Sequence, residues 1–556
     1  MLSRARGLRT MLCDPSLDIK ENSAENTAFG VAPAEFVHSA LALCGQNVRI
    51  LQAALPAGES PATSITSVAP RCAQQRKEAM RSELVVLGGG PGGYAAAFLA
   101  ADLGIQVTLV NAESRLGGVC LLRGCIPSKA LLHVAKVMSE ARELAAWGIE
   151  FPPPSINLDA LRAAKNGVIE TLTGGLDQLA KRRNVQVLHA RGRFTGSQEL
   201  RLEPLGGQAG QADQLSFEHC ILAVGSSPVI PPPLRIDSRR VTDSTGALEL
   251  NDIPERLLVV GGGYIGLEMG SVYAELGTRV TVVELTDGLL PGVDRDLVRP
   301  LAARLAKRFD RILLNTKVGK LAERGNLIEA TLESPGGEAT QETFDRVLVA
   351  VGRRPNSAGL GLETTQAKID ARGFVVVDQK QRTADPHLLA IGDVAGEPML
   401  AHKATHEGKV AVEGLSGGPA EFDARAIPAV VFTDPEIAWA GLTEADAKRG
   451  GRHITVARYP WAANGRAQSL HRTDGLTKLL IESGTDRVLG AGIVGSGAGD
   501  MIAEVVLAIE MGCTVRDLTE SIHPHPTLGE TIPAAGEVHL GLATEIYRPK
   551  RKPATA

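Results

Sequence analysis

A basic excess is missing: 59 Lys and Arg against 63 Asp and Glu leave a formal net charge of -4 over 556 residues. That excludes the electrostatic footprint of a nucleic-acid-binding chain. No run of eighteen apolar residues stands ready to span a bilayer, so no membrane insertion is expected. Cysteine is sparse and odd in number, seven in all, which argues against the disulfide framework of a secreted protein and fits a reducing compartment. A cytoplasmic location is the expectation. An organelle matrix is the alternative, because the opening from Met1 contains arginines, has no acid before Asp14 and lacks the apolar core of a signal peptide.

A chain of this length with 44% hydrophobic residues has room for several domains, each with its own core. Residues 1–79 differ from the rest in mixing Ser, Ala, Pro and polar residues with only short apolar patches such as Val48–Leu51. They are expected to be poorly ordered or outside the mature fold, with structure beginning at Met80.

Two cysteines with four residues between them, Cys120 and Cys125, occur in Leu116–Lys129 beside Arg123. Five residues of regular helix separate Cα atoms by about 7.5 Å along the axis, beyond the roughly 7 Å a disulfide bridges. A bonded pair therefore requires irregular winding, for which Gly124 supplies the freedom. The apolar run that follows Cys125 reads as helix, placing this cysteine near a helix N-terminus that favours thiolate. Spacing alone equally suits two reduced cysteines that merely pack.

Their company narrows the choice. Glu83–Leu87 is a short apolar strand running into Gly88-Gly-Gly90-Pro-Gly-Gly93 and then a helical stretch from Tyr94. In that context Gly88 makes the tight turn, Gly90 admits a pyrophosphate and Gly93 lets helix and strand close together. The next strand ends at Asn111, with Glu113 two residues on, where an acid for the ribose is normally found. A second copy follows: strand Arg256–Val260, Gly261-Gly-Gly263-Tyr-Ile-Gly266, helix, and strand Thr278–Val283 ending at Glu284. A carboxylate there accepts from a 2′-hydroxyl and repels a 2′-phosphate, selecting NAD over NADP. One glycine run is credible as an ordinary turn; two, each correctly placed, point to two nucleotide sites.

Two such sites and a cysteine pair imply electrons passing from pyridine nucleotide through flavin to a disulfide. With Cys120-x4-Cys125-Ile-Pro-Ser-Lys129, Ile221–Ser226, Val349–Asn356, Ala390-Ile-Gly-Asp393 and His523–Glu530, the chain resembles the flavin-dependent pyridine nucleotide-disulfide oxidoreductases. Within them it is most similar to the dihydrolipoyl dehydrogenase branch, from about Met80 almost to the C-terminus. The resemblance implies an α/β fold of two Rossmann-like domains, for FAD and NAD, plus a C-terminal α+β dimerisation domain. The expected boundaries are 80–230 and 356–425 for the FAD and central parts, 231–355 for NAD and 426–556 for dimerisation. It further implies one tightly but non-covalently bound FAD per subunit, NAD as the second cofactor, a homodimer, and lipoyl-bearing carriers of 2-oxoacid dehydrogenase or glycine cleavage systems as partners.

Carried onto this sequence, the resemblance makes Cys125 the flavin-facing cysteine and Cys120 the one that exchanges with substrate. Lys129 is expected near the flavin, paired with Glu268, and Asp393 on the ribitol. Gly225, Gly352 and Ala401 join the glycines of the two motifs and Glu284 in binding cofactors, and no metal ligand is expected. His525, between two prolines, is the expected base for thiol–disulfide exchange with Glu530 to orient it, acting on the cysteines of the other subunit. His523 is expected to be incidental, and Cys13, Cys44, Cys72, Cys220 and Cys513 inert. The stretch departs from the family at Val119, Leu122 and Arg123; the extra cation either lowers the thiol pKa values or faces solvent. The competing readings are a reductase of glutathione-like disulfides or a metal ion, which Glu284 and the lack of cysteine after Cys513 oppose, and a non-catalytic scaffold, which needs none of these residues.

Overall fold

The computed structural model describes residues 80–207, 214–337 and 339–547. The extension expected over 1–79, with Cys13, Cys44 and Cys72, lies outside the described residues.

The first sheet grows around β1 (Met80–Leu87), which begins at Met80 rather than Glu83 because Met80–Ser82 already pair with Leu215–Phe217. After α1 (Pro91–Asp102) comes β2 (Val107–Asn111), then α2 (Gly118–Arg123), α3 (Cys125–Glu143), α4 (Leu158–Arg182), β3 (Gln186–Gly196), β4 (Glu199–Pro204) and β5 (Gln214–Leu222). β1 lies parallel between β2 and β5, β3 extends the sheet beyond β2, and β4 pairs antiparallel with both β3 and β5. Leu84 and Val86 pack with Ala96, Ala97 and Ala100 of α1, while Val85 and Leu87 join Leu200 and Leu222 on the other face. A strand covered on both faces reads as an unbroken apolar run.

The chain leaves this domain through Ser226–Pro228 and returns through Arg353–Pro355, and the two segments pair antiparallel. Between them β6 (Arg256–Val260), α5 (Tyr264–Glu275), β7 (Arg279–Val283), α6 (Arg295–Arg308) and β8 (Arg346–Val349) build a second parallel sheet. Its order is Arg311–Leu313, β7, β6, β8, Val241–Thr242, and a three-stranded antiparallel sheet over 317–344 stands beside it. Back in the first domain, β9 (Leu388–Ala390) adds parallel to β5, and α7 (Ala401–Leu415) lies on α1. The two helices meet at Gly92 and Gly408, where a Cβ on Gly408 would stand 2.8 Å from the Gly92 carbonyl oxygen.

The last domain is an antiparallel sheet of β10 (Ala429–Val431), β11 (Glu436–Gly441), β12 (Ile454–Pro460), β13 (Leu476–Glu482) and β14 (Val488–Gly495), in the order β10, β11, β14, β13, β12. Helix α8 (Ala498–Met511) covers β11 and β14, and α9 (Thr531–Leu540) covers β12 and β13. Along β13, Thr477 through Ile481 are all buried. Lys478, 1% exposed, is tolerated there because its ammonium donates to Asp294 (2.7 Å), Asp296 (2.7 Å) and Glu444 (2.8 Å). This acidic trio, spaced as if for a metal ion, is filled by the lysine and ties the second domain to the third.

Contrary to the expectation from apolar runs, Gly118–Trp147 does match a membrane span in length and mean hydropathy. The helix breaks at Gly124, however, pairs Lys129 with a buried acid and places Leu131 and Leu132 in the core, as a helix of a folded domain does.

Replacing Lys478 by Met leaves Asp294 without a cation and Asp296 and Glu444 with Arg458 alone. Breaking a buried ion pair costs about 3–5 kcal/mol, so the variant's thermal midpoint should fall markedly at neutral pH. Burial opposes the charged form of Asp296, but Lys478 and Arg458 outweigh it and hold its carboxyl below the usual range. That stabilisation is present above the ordinary carboxylate pKa and lost as pH falls through the folded value. The gap between wild type and variant should therefore narrow on acidification, which thermal unfolding across pH measures.

Candidate active site

The redox segment owes its shape to one glycine. α2 ends at Arg123, Gly124 takes φ −145°, ψ −115°, and α3 starts at Cys125. A Cβ at Gly124 would stand 2.8 Å from the Val119 carbonyl oxygen, so the close turn excludes a side chain. The two thiols lie close enough to shift each other. With Cys120 as the largest cause, and Lys129 adding to it against the opposing effect of burial, Cys125 is pulled down to about 7. Cys120 is pushed up, by Cys125 and by burial.

One turn past Cys125, Lys129 Nζ donates to Glu268 Oε2 at 2.8 Å and lies 4.5 Å from the centre of the Phe432 ring. Glu268, 3% exposed on α5, accepts from the Phe432 backbone N–H through its other oxygen at 3.0 Å. Three domains thus meet at one carboxylate.

The glycine loops divide their labour. Gly88 has φ +117° and Gly261 φ +110°, and a Cβ on either would collide with a carbonyl oxygen, of Ala223 at 2.3 Å or Ala350 at 2.5 Å. Gly93 and Gly266 are pressed against the carbonyls of Gly88 and Gly261, at 1.8 and 2.1 Å from a would-be Cβ. The middle glycines differ: Gly90 meets nothing nearer than 3.9 Å, and Gly263 nothing within 4 Å. Neither α1 nor α5 has a side-chain cap. Open space before uncapped helix N–H groups is the cradle a dinucleotide pyrophosphate fits, so the residues suit both FAD and NAD. Asp393 lies just beyond β9 and accepts from Ser226 Oγ, which in turn accepts from Arg353 Nε at 2.8 Å. Ala401 opens α7. Gly225 and Gly352, with φ +69° and +143°, turn the chain at the crossings between domains.

Glu284 follows β7 and is 7% exposed, its oxygens accepting from the N–H groups of Gly262 (2.7 Å) and Thr286 (2.8 Å). Asn111, by contrast, donates its amide inward to the carbonyls of Glu113 and Arg115. Arg123 takes neither of the two roles expected of it: it makes a bidentate pair with Glu113, both bonds 2.6 Å. The carboxylate near the expected ribose position is engaged there instead.

His525 Nδ1 is 2.9 Å from Glu530 Oε1, and the imidazole side chain is 77% exposed. Burial would raise the Glu530 carboxyl, but the Thr527 N–H and His525 prevail and lower it. The hydrogen bond on Nδ1 leaves Nε2 facing outward, without a hydrogen-bond partner among the described residues. His523 is held by Glu504 and the Ser521 carbonyl, and burial pushes the Cys220 thiol up.

Sequence reasoning missed two phenols. Burial raises the pKa of Tyr94, and charge on Cys120 and Cys125 adds to the rise, so it neighbours both thiols. Burial likewise raises Tyr264, which lies among Arg353, Glu268, Cys125 and Asp393. The available signal was position: each follows a glycine turn at the start of its helix.

A family model described as pyridine nucleotide-disulphide oxidoreductase matches residues 82–408, and its dimerisation domain matches 427–535. A dihydrolipoyl dehydrogenase of Vibrio parahaemolyticus is 46% identical over 471 residues, 85% of this chain and 98% of the relative. One of Geobacillus stearothermophilus is 42% identical over 468 residues, 84% and 98% of the two chains. Among solved structures, LpdA from Mycobacterium tuberculosis aligns with TM-score 0.75 at 27% identity, over 82% of this chain and 99% of its own. A Cu(II) complex of the HOCl-induced flavoprotein disulfide reductase RclA from Escherichia coli aligns at 0.73 and 28%, over 82% and 99%.

A thiol pulled down to about 7 is mostly thiolate at pH 8 and mostly protonated at pH 6. Alkylation of Cys125 in the reduced protein, followed by mass spectrometry, should rise through a midpoint near 7 and saturate above it. In Lys129→Met the midpoint should move upward, because the lost cation favoured thiolate.

Proposed function

The chain belongs to the pyridine nucleotide-disulphide oxidoreductase family, and we propose that it oxidises protein-bound dihydrolipoamide to lipoamide with NAD, through FAD and the Cys120–Cys125 disulfide. The names of its relatives support this reading. So does the observation that carries it, a Glu530-held His525 whose outward nitrogen is placed to serve a dithiol.

In the oxidised enzyme, His525 Nε2 takes a proton from one substrate thiol, and the resulting thiolate attacks Cys120 sulfur. The Cys120–Cys125 bond breaks and Cys125 leaves as thiolate, favoured because low-pKa thiols leave faster. The second substrate thiol then displaces Cys120 from the mixed disulfide, closing the lipoyl ring and leaving the enzyme dithiol. Glu530 keeps Nδ1 protonated so that Nε2 is the basic nitrogen. Lys129 places a positive charge beside Cys125 that opposes its reprotonation. Bound FAD supplies the two-electron transfer from this dithiol to NAD. Gly88, Gly90, Gly93 and Asp393, with the start of α7 at Ala401, would hold it. Gly261, Gly263, Gly266 and Glu284 would hold NAD.

The imidazole is exposed on a domain whose surface also carries Leu507 (63% exposed), Met511 (72%) and Ile522 (101%). We assign this face to a second copy of the chain, so that each His525 serves the cysteines of its partner.

His525→Gln should leave reduction by NADH nearly intact but cut dihydrolipoamide oxidation by about a hundredfold or more, within the roughly 10²–10⁴ range of a general base. Equal loss in both half-reactions, measured by stopped flow, would remove His525 from the thiol step.

Because Glu284 repels a 2′-phosphate, NAD should be strongly preferred. Glu284→Ala should narrow the NAD to NADP ratio of kcat/KM by about tenfold, or about 1.4 kcal/mol; an unchanged ratio would show that this acid does not read the ribose.

A further inference from the structure

Outside the redox centre, a cavity of about 350 Å³ lies where α2, α4, the loop after β2 and the short helix Ser244–Glu249 converge. Its volume falls in the range of small-ligand pockets, about 300–1,000 Å³. Lys165 of α4 lines it and is 8% exposed. Among the described residues its ammonium has no hydrogen-bond or ion-pair partner. This is unlike the other two deeply buried lysines, Lys403 and Lys478, each of which is paired with carboxylate.

The stem of Lys165 is buried while its unpaired ammonium opens into the cavity, where an anion can join it. Burial pulls the Lys165 pKa down, with Glu249 opposing the shift and Arg162 adding to it. The acids around the cavity do not quench it: Glu113 is committed to Arg123, and Glu249 accepts from Asn251. Glu170 is exposed at the rim. A second cation, Arg115, is exposed at the mouth and has no ion pair among the described residues. Leu122, Ile169 and Leu248 supply apolar wall.

We propose that this cavity binds a small oxyanion, a phosphate or carboxylate head with room for a short organic body, between Lys165 and Arg115. Its lining includes none of the glycines of the two dinucleotide loops. Because its wall includes Leu122 and Arg123 of the α2 turn between the redox cysteines, an occupied site braces that turn from behind.

The test is titration calorimetry of the FAD-loaded enzyme, saturated with NAD to occupy the other phosphate sites, using inorganic phosphate and separately succinate as probes. Wild type should bind at least one of them. Lys165→Met should weaken that binding tenfold or more, and Lys165→Arg should restore much of it. Arg115→Gln, at an exposed position that threatens the fold least, should weaken it severalfold while leaving dihydrolipoamide turnover without probe unchanged. Absence of binding by wild type to both probes overturns the proposal, as does equal binding by wild type and Arg115→Gln together with Lys165→Met.

Discussion

The buried carboxylate of Glu268 is the point on which the rest of the centre depends. A charge at 3% exposure is unfavourable unless both oxygens are satisfied. Here one takes the Lys129 ammonium from the first domain and the other the Phe432 backbone N–H from the third. Any movement of one domain against another breaks a bond to a buried charge. The requirement to keep Glu268 paired therefore holds the two nucleotide cradles and the cysteine segment in a single register.

That register also explains the break at Gly124. Helix α3 must begin at Cys125 for Lys129, four residues on, to project from the same helical face toward Glu268. Cys120 must meanwhile sit close enough to exchange a bond with Cys125, which a continuous helix through both residues forbids by its rise. Two short helices with a backbone kink satisfy both demands.

How far the sequence foretold this depended on the range of the interaction. The glycine turns and the cysteine kink were legible because the reason for them is local: Gly88, Gly93 and Gly124 are positions where a Cβ strikes a nearby carbonyl. The buried parallel strands were legible for the same reason, as unbroken apolar runs. Arg123 was misjudged because its partner, Glu113, lies ten residues away across a loop, and nothing in the spacing distinguishes a loop acid facing a ribose from one facing an arginine. The burial of Lys478 was not legible because its three carboxylates come from distant segments. Phe432 was invisible as a functional residue, since its backbone N–H serves Glu268 whatever its side chain.

The ion pair at Glu268 raises an electrostatic question, because a neutral pair beside a thiol need not favour thiolate at all. What decides the sign is order. Lys129 lowers the Cys125 pKa by more than Glu268 raises it, as expected when the cation rises from the same helix one turn away and the anion approaches it from α5 behind. The pair then acts as a dipole with its positive end toward the sulfur, and the start of α3 adds a second dipole of the same sense. Lys129 acts on Cys120 in the same sense, but there the neighbouring Cys125 and burial outweigh it and the pKa moves the opposite way. The asymmetry that makes one sulfur a leaving group and the other the point of attack therefore comes from the coupling of the two thiols, and the lysine sets how readily Cys125 holds the shared negative charge.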